Sequence, residues 1–338
     1  MVCQNSTWLC VGSTSPEFHE AHQSPARHSP LGVPVQELRS RGISRGINGS
    51  KIVVLDADFC IASKIISFKK RFPDRFIQVG IAEQNMMGIA AGLSTVGFTC
   101  FISTVCVFYS RRACNQVTTS IALPRMNVKI VELYAGLFVG KNGASHQSLE
   151  DIGIMRSIAN MTVVQPVDAV ETRKILQYAA CYKGPMYMGI GRDPSRQFVP
   201  DDYEFQLGKS ITIRAGGDLT LISYGDLMEN VMTAAESLAR KGIQARVINM
   251  SSLKPLDEEA IVQAARDTGQ IVTADNHNIY GGLGTAVAEV LAERIPAKLK
   301  RIGVRDIFDK SGTNEEMLKK LGLRSEDIEK EALDFLKQ

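Results

Sequence analysis

The chain has 338 residues, 44% of them hydrophobic and 22% charged. That excludes a peptide, a disulfide knot or a disordered tail, and it allows two domains of about 150 residues each. Its 39 Lys and Arg against 36 Asp and Glu leave a net charge of +3, too small an excess to predict nucleic acid or an anionic membrane as the main partner. The seven cysteines form no CxxC pair and have no histidine at metal-ligand spacing, so they read as reduced thiols of a cytoplasmic protein, with no zinc site and no disulfide framework.

In chain order, residues 1–46 are rich in Ser, Pro, Arg and His without a sustained hydrophobic period, the composition of a disordered arm. The weak apolar patch at its start has no basic residues ahead of it, so no secretory signal is predicted. From Lys51 onward, short β-branched runs alternate with helical patterns, the signature of βα units and a parallel sheet. Strands are predicted at 52–56, 76–80, 99–103, 128–133, 162–166 and 186–190, with helices over 62–71, 83–94, 110–122, 148–158 and 168–181. Asp168 and Glu171 have the spacing of a capping box for the last of these. The stretch between Glu83 and Arg111 has no charged residue and is long enough to span a bilayer, but its glycines divide it into a buried helix, a turn at Val96-Gly97 and a strand. No membrane partner is expected.

The segment 193–205, with two prolines and four acidic residues, breaks the rhythm and reads as a linker. The boundaries are therefore an arm over 1–46, a first α/β domain over 47–195, a linker over 196–215 and a second α/β domain over 216–338. In the second domain, strands are predicted at 219–225, 245–250, 271–276 and 300–304, with helices over 227–241, 257–267 and 285–294. There is no GxGxxG after a first strand, no GxxxxGK[ST] and no GxSxG elbow, so neither a dinucleotide fold, a P-loop NTPase nor a serine hydrolase is read.

Beyond the arm only His146 and His277 remain. His146 lies in a glycine-containing loop ahead of a helix, where a side chain can face a cleft at the end of a parallel sheet; a purely structural loop histidine is about equally compatible. For His277 the structural role is favoured. Glu83 opens an uncharged helix, so its carboxylate is either a buried group in need of a partner or a dipole-stabilised terminal charge. Asp56 and Asp58 end a strand as turn formers or ligand contacts, and Arg192 leaves a strand either solvated or placed to grip a phosphate.

The words VGIAEQNMMGIAAGLSTVG (79–97), VGKNGASHQSLEDIGIMRSIANMTVVQPVDAVE (139–171), ARVINMSSLKPLDEEAI (245–261) and ADNHNIYGGLGTAVAEVLAE (274–293) together resemble the transketolase family over about residues 50–335. The resemblance is to the pyrimidine-binding and carboxyl-terminal domains, as in transketolases split between two polypeptides. It implies a two-domain α/β protein with parallel sheets, working with thiamine diphosphate and Mg²⁺. The diphosphate and the metal ligands would come from an amino-terminal partner subunit, with no metal ligand on this chain, in a dimer of heterodimers. The implied activity is transfer of a two-carbon ketol unit between sugar phosphates.

By the same resemblance, Glu83 binds a ring nitrogen of the aminopyrimidine and favours the imino tautomer, whose exocyclic nitrogen takes up the thiazolium proton. Phe108 packs on that ring, and Asp58 and Arg112 lie near the cofactor. His146 is matched to the active-site histidine, and Arg192 to the arginine that holds the sugar phosphate. Tyr134 stands where the family commonly has His, and Asn142 where it has Asp; both positions are expected to touch donor hydroxyls. Tyr109, Arg111, Val105 and Ala62 also depart from the pattern. The alternatives are a 1-deoxyxylulose-5-phosphate synthase-like chain, a 2-oxo acid dehydrogenase beta-like chain, or a catalytically impaired scaffold or regulatory subunit.

Overall fold

A computed structural model describes residues 51–193 and 195–337; the arm expected over 1–46 lies outside the described residues. Two sheets organise the chain. The first has seven strands in the order β10-β5-β6-β4-β3-β1-β2: β1 Ile52–Asp56, β2 Phe76–Gln78, β3 Thr99–Ser103, β4 Val128–Leu133, β5 Thr162–Val164, β6 Met186–Ile190 and β10 Ser252–Lys254. The second has five in the order β12-β11-β8-β9-β7: β7 Ile211–Arg214, β8 Leu219–Ser223, β9 Ala245–Asn249, β11 Gln270–Asn278 and β12 Lys298–Val304. The continuous apolar runs are the central strands: β1, β3, β6 and β8 are buried at every position, as a parallel sheet covered on both faces requires.

The α/β expectation holds, with one correction: both sheets are mixed. β10 runs antiparallel to β5, and β7 antiparallel to β9. β7 falls within the stretch expected as linker. β10 belongs by sequence to the second half yet closes the edge of the first sheet, with Ser252 opposite Val164. Two further helices, Asn314–Leu321 and Ser325–Leu336, follow β12.

The uncharged run resolves into the helix Glu83–Thr95, β3 and the start of a helical run at Phe108. In that first helix Met86, Met87, Ala90 and Ala91 are buried together with Glu83, the spacing of one apolar helix face. Among the described residues no helix is long and apolar enough to cross a membrane. The run Phe108–Ala122 is not one regular α-helix; it is built of π-helical turns at Phe108–Arg112 and Val117–Ala122 around a single α-turn.

Half of the expected capping box forms. Asp168 accepts from the Glu171 N–H, while Glu171 reaches one residue further back, to the Val167 N–H at 2.8 Å. Glu171 also accepts from Asn249 Nδ2 on β9 at 3.0 Å, which ties the halves together. Other ties are Asn278 N–H to Leu149 O at 2.7 Å and Arg156 Nη1 to Gly281 O at 2.7 Å. Gly281, at φ +77°, lies so close to helix Asp151–Ser157 that a Cβ there would stand 2.9 Å from Gly153 Cα. That contact explains Gly281 of GGLG. Among the described residues, Cys60, Cys100, Cys106 and Cys114 are free thiols.

Candidate functional site

Five adjacent strands of the first sheet, β2, β1, β3, β4 and β6, are parallel, so their carboxyl ends share one edge. The side chains matched by the resemblance to cofactor or substrate contacts each follow one of those ends, the place where open α/β sheets present ligand-binding groups. Asp58 follows β1, Glu83 follows β2, Phe108 and Arg112 follow β3, Tyr134, Asn142 and His146 follow β4, and Arg192 follows β6.

The structure brings four of these into a chain of contacts. Glu83, at the first position of its helix, is 2% exposed. Its Oε2 accepts from Arg112 Nη1 at 2.7 Å, a charge-assisted bond to a half-exposed guanidinium. The same guanidinium lies 4.5 Å above the centre of the Phe108 ring, within cation–π range. Phe108 in turn meets the His146 ring edge-on at 5.5 Å. Ser145 Oγ is 3.0 Å from His146 Nδ1. Gln84 donates to Arg112 O at 3.1 Å, fixing the backbone that carries Arg112.

A second group lies over the end of β4. Tyr134 takes the left-handed conformation at φ +67°, unusual for an aromatic residue. Arg192 lies 5.0 Å over its ring and donates Nη1 to Val139 O at 3.3 Å, while Phe59 packs on it edge-on at 5.7 Å. Asn142 ends a single 3₁₀ turn and is exposed.

Asp58 is exposed, at φ +60°, with its N–H bonded to Gln78 Oε1 at 2.9 Å. Its neighbour Asp56 is the buried one. Asp56 accepts from the Phe59 and Cys60 N–H groups and from Gln78 Nε2 at 2.7 Å. Burial still raises its carboxyl above the ordinary range, against the pull of those three bonds. Asp56 thus shapes the turn that presents Asp58 and Phe59, the turn-forming alternative read for this pair.

Several contributors were not read as site residues in the sequence. Arg111, one of the departures, forms an ion pair with Glu150 and donates to Gln147 O at 3.2 Å, bracing the loop that carries His146. The second half braces the same loop: a Cβ at Gly143, φ +76°, would stand 2.6 Å from Ser311 Oγ, and Gln147 Nε2 donates to Lys310 O at 3.4 Å. Only the glycine signalled this approach in the sequence. His277 is fully buried within β11 rather than in the loop expected after that strand: Nε2 is 2.9 Å from Asp151 Oδ1 and Nδ1 is 2.9 Å from the Tyr224 hydroxyl.

Comparison with known proteins agrees with this architecture. Residues 46–196 match the transketolase pyrimidine binding domain, and residues 208–328 match the transketolase C-terminal domain. A 6-deoxy-6-sulfo-D-fructose transketolase subunit from Clostridium sp. (strain MSTE9) is 42% identical over 278 residues, covering 82% of this chain and 86% of that protein. An apulose-4-phosphate transketolase subunit from Phocaeicola vulgatus is 40% identical over 288 residues, 85% of this chain and 92% of its own length. Among solved structures, a split gene transketolase described as an inactive beta4 tetramer matches with a TM-score of 0.80 and 44% identity, over 86% of this chain and 93% of that one. With both domain matches in order along one chain, and with relatives of similar length, this protein belongs to the transketolase family, of which it carries the pyrimidine-binding and C-terminal domains.

Proposed function

We propose that this chain is one half of a thiamine-diphosphate-dependent transketolase, active only with a separate subunit that binds the diphosphate and supplies the Mg²⁺ ligands, in a dimer of heterodimers. The observation that carries the reading is the buried carboxylate of Glu83, joined through Arg112 to the Phe108 ring at the carboxyl edge of the first sheet. An acidic group for a ring nitrogen next to an aromatic face suits an aminopyrimidine. The split organisation is supported by relatives named as transketolase subunits.

Bound there, thiamine diphosphate would supply a nucleophilic carbon and an electron sink for cleaving a carbon–carbon bond. Glu83 holds the proton shared with the pyrimidine nitrogen at a carboxylate oxygen, and its burial keeps water from competing for that bond. Phe108 packs on the ring, and Arg112, bonded to Glu83, keeps the carboxylate aimed at the edge. Asp58, exposed on the turn after β1, would lie near the bound cofactor. His146 and Asn142, on the loop after β4, offer hydrogen bonds to hydroxyls of a ketose donor, and Tyr134 offers a phenol where an imidazole is usual. Arg192 grips the phosphate of the sugar. The net reaction moves a two-carbon ketol unit from a ketose phosphate to an aldose phosphate.

The test is transfer from xylulose 5-phosphate to ribose 5-phosphate, with thiamine diphosphate and Mg²⁺, by the chain alone and mixed with a diphosphate-binding subunit. Activity in the mixture only is expected. A complex that assembles and binds the cofactor but transfers from no ketose phosphate would instead assign the chain a scaffold role.

A further inference from the structure

The backbone that carries Arg192 is gripped on both sides by the C-terminal domain. Ahead of it, Gly191 lies so close to Asp226, in the 3₁₀ turn Gly225–Leu227 after β8, that a Cβ at Gly191 would stand 1.8 Å from the carboxylate oxygens. Only a residue without a side chain fits against that acid. Behind it, Asp193 Oδ2 accepts a hydrogen bond from Asn314 Nδ2, at the first position of the helix Asn314–Leu321. Arg192 itself leans over the Tyr134 ring and toward Val139 O.

The stretch that ends in Asn314 also reaches the loop carrying His146. Lys310 O accepts from Gln147 Nε2, and Ser311 Oγ abuts Gly143. Residues 310–314 thereby bridge the His146 loop and the Arg192 corner, which follow two different strands, β4 and β6. The spacing between those two groups is set by the C-terminal domain as well as by the sheet.

Charge makes the Asn314 contact consequential. Asp193 is exposed, and its carboxylate is next in sequence to the guanidinium read as the phosphate contact. A carboxylate that turns toward a guanidinium competes with phosphate for the same planar fork. The Asn314 amide occupies one oxygen of Asp193, and the positive end of the helix that Asn314 opens favours a negative charge beside it. Both draw the carboxylate toward the C-terminal domain.

We propose that Asn314 is a positioning residue for Arg192: by holding Asp193 toward the C-terminal domain it keeps the guanidinium open to a sugar phosphate. The inference rests on the phosphate role proposed above for Arg192. It makes affinity for a phosphorylated substrate depend on the C-terminal domain, through a side chain 122 positions further along the chain than the arginine it serves.

The test is steady-state ketol transfer by the reconstituted pair of subunits carrying Asn314→Ala, Asn314→Asp, or Asn314→Asp together with Asp193→Asn. Asn314→Ala should raise KM for a phosphorylated ketose about two- to tenfold, the worth of one ordinary hydrogen bond. Its kcat, its KM for an unphosphorylated ketose and its affinity for thiamine diphosphate should each move by less than about twofold. Asn314→Asp sets two carboxylates against each other and should cost more than Asn314→Ala. The paired exchange rebuilds the hydrogen bond with donor and acceptor reversed, and should bring KM back to within about threefold of the unaltered protein. If Asn314→Ala does not fold, Asn314→Asp, which suits a helix start, decides. A contact of purely structural value would lower the thermal midpoint and penalise both donors alike, with no rescue by the exchange; that pattern would overturn the proposal, as would an unchanged KM in both single variants. Arg192→Ala measured alongside separates the two readings. Selective loss there with no effect at Asn314 refutes the positioning role alone, whereas equal loss for both donors, or no transfer by the unaltered pair, removes the phosphate role and the positioning role with it.

Discussion

Replacing Arg192 with alanine tests the substrate side of the site most directly. Of the five N–H donors of a guanidinium, one is committed to Val139 O at 3.3 Å, while the plane lies over Tyr134 at 5.0 Å. The remaining donors leave a free fork for a bidentate contact to a phosphate. A charge-assisted contact is worth about 1.5–3 kcal/mol, so Arg192→Ala should raise KM for a phosphorylated ketose roughly 10- to 160-fold. An unphosphorylated ketose has nothing to lose at that contact, and its KM should move by less than about twofold, the size of a surface substitution. Arg192→Lys keeps the charge but loses the fork and the ring contact, and should fall between the two. The assay is steady-state ketol transfer by the reconstituted pair of subunits, with donors compared at matched acceptor concentration. Equal losses for both donors would refute the phosphate role and return Arg192 to a packing function against Tyr134.

Other consequences can be checked separately. Glu83→Gln should abolish transfer while leaving the thermal midpoint within a few degrees, because it removes the acid but keeps the side-chain volume at the helix start; substantial residual activity would move the acid elsewhere. Tyr134→His should raise KM for phosphorylated donors by about threefold, as Arg192 loses an aromatic platform worth about 0.5–1 kcal/mol, which donor-by-donor kinetics will reveal. Glu171, buried under the clasp between the halves, has its carboxyl pushed up by desolvation to about 7 from 4.5. The folded state therefore holds a proton that the unfolded chain releases, and the associated stability is complete below pH 4.5 and lost as pH rises through 7. The difference between the unfolding curves of the unaltered chain and Glu171→Gln should change by about 3 kcal/mol across that window. Asp275, raised by burial to about 7 as well, keeps its own slope in both proteins and drops out of the comparison. A pH-independent difference would mean that Glu171 stays ionised in the fold.

The central strands were legible because burial on both faces leaves mostly β-branched and other apolar residues there: IVVLD, TCFIS, VKIVEL and MYMGI all end within a residue of their expected limits. The edge strands β7 and β10 were not, since four and three residues with no apolar run to mark them take their conformation from a neighbour rather than from their own pattern. The last two helices are a different case. Thr313 and Glu316 form a reciprocal capping box that the sequence does display, so that start signal could have been read. The π-turns over Phe108–Ala122 left no mark in composition. Within the site, Glu83, Phe108, His146 and Arg192 were legible through long ordered motifs, and Asp56 and Asp58 only as an ambiguous pair. The pairing of Arg112 with Glu83, and of Arg192 with Tyr134, depends on which strands are neighbours. That order, β2-β1-β3-β4-β6, is a property of topology and not of spacing along the chain.

The exchange of β10 into the first sheet bears on how the chain is made. As it emerges from the ribosome, the pyrimidine-binding half can assemble six of its seven strands while β5 still presents an open row of amide and carbonyl groups. That row stays open until residues 252–254 have been synthesised and have crossed over. During that interval the nascent protein carries an unguarded sheet edge, a template for pairing with another nascent chain. A gene cut between the two domains would make that exposure permanent. Keeping both domains on one chain lets that edge be covered by the chain's own strand.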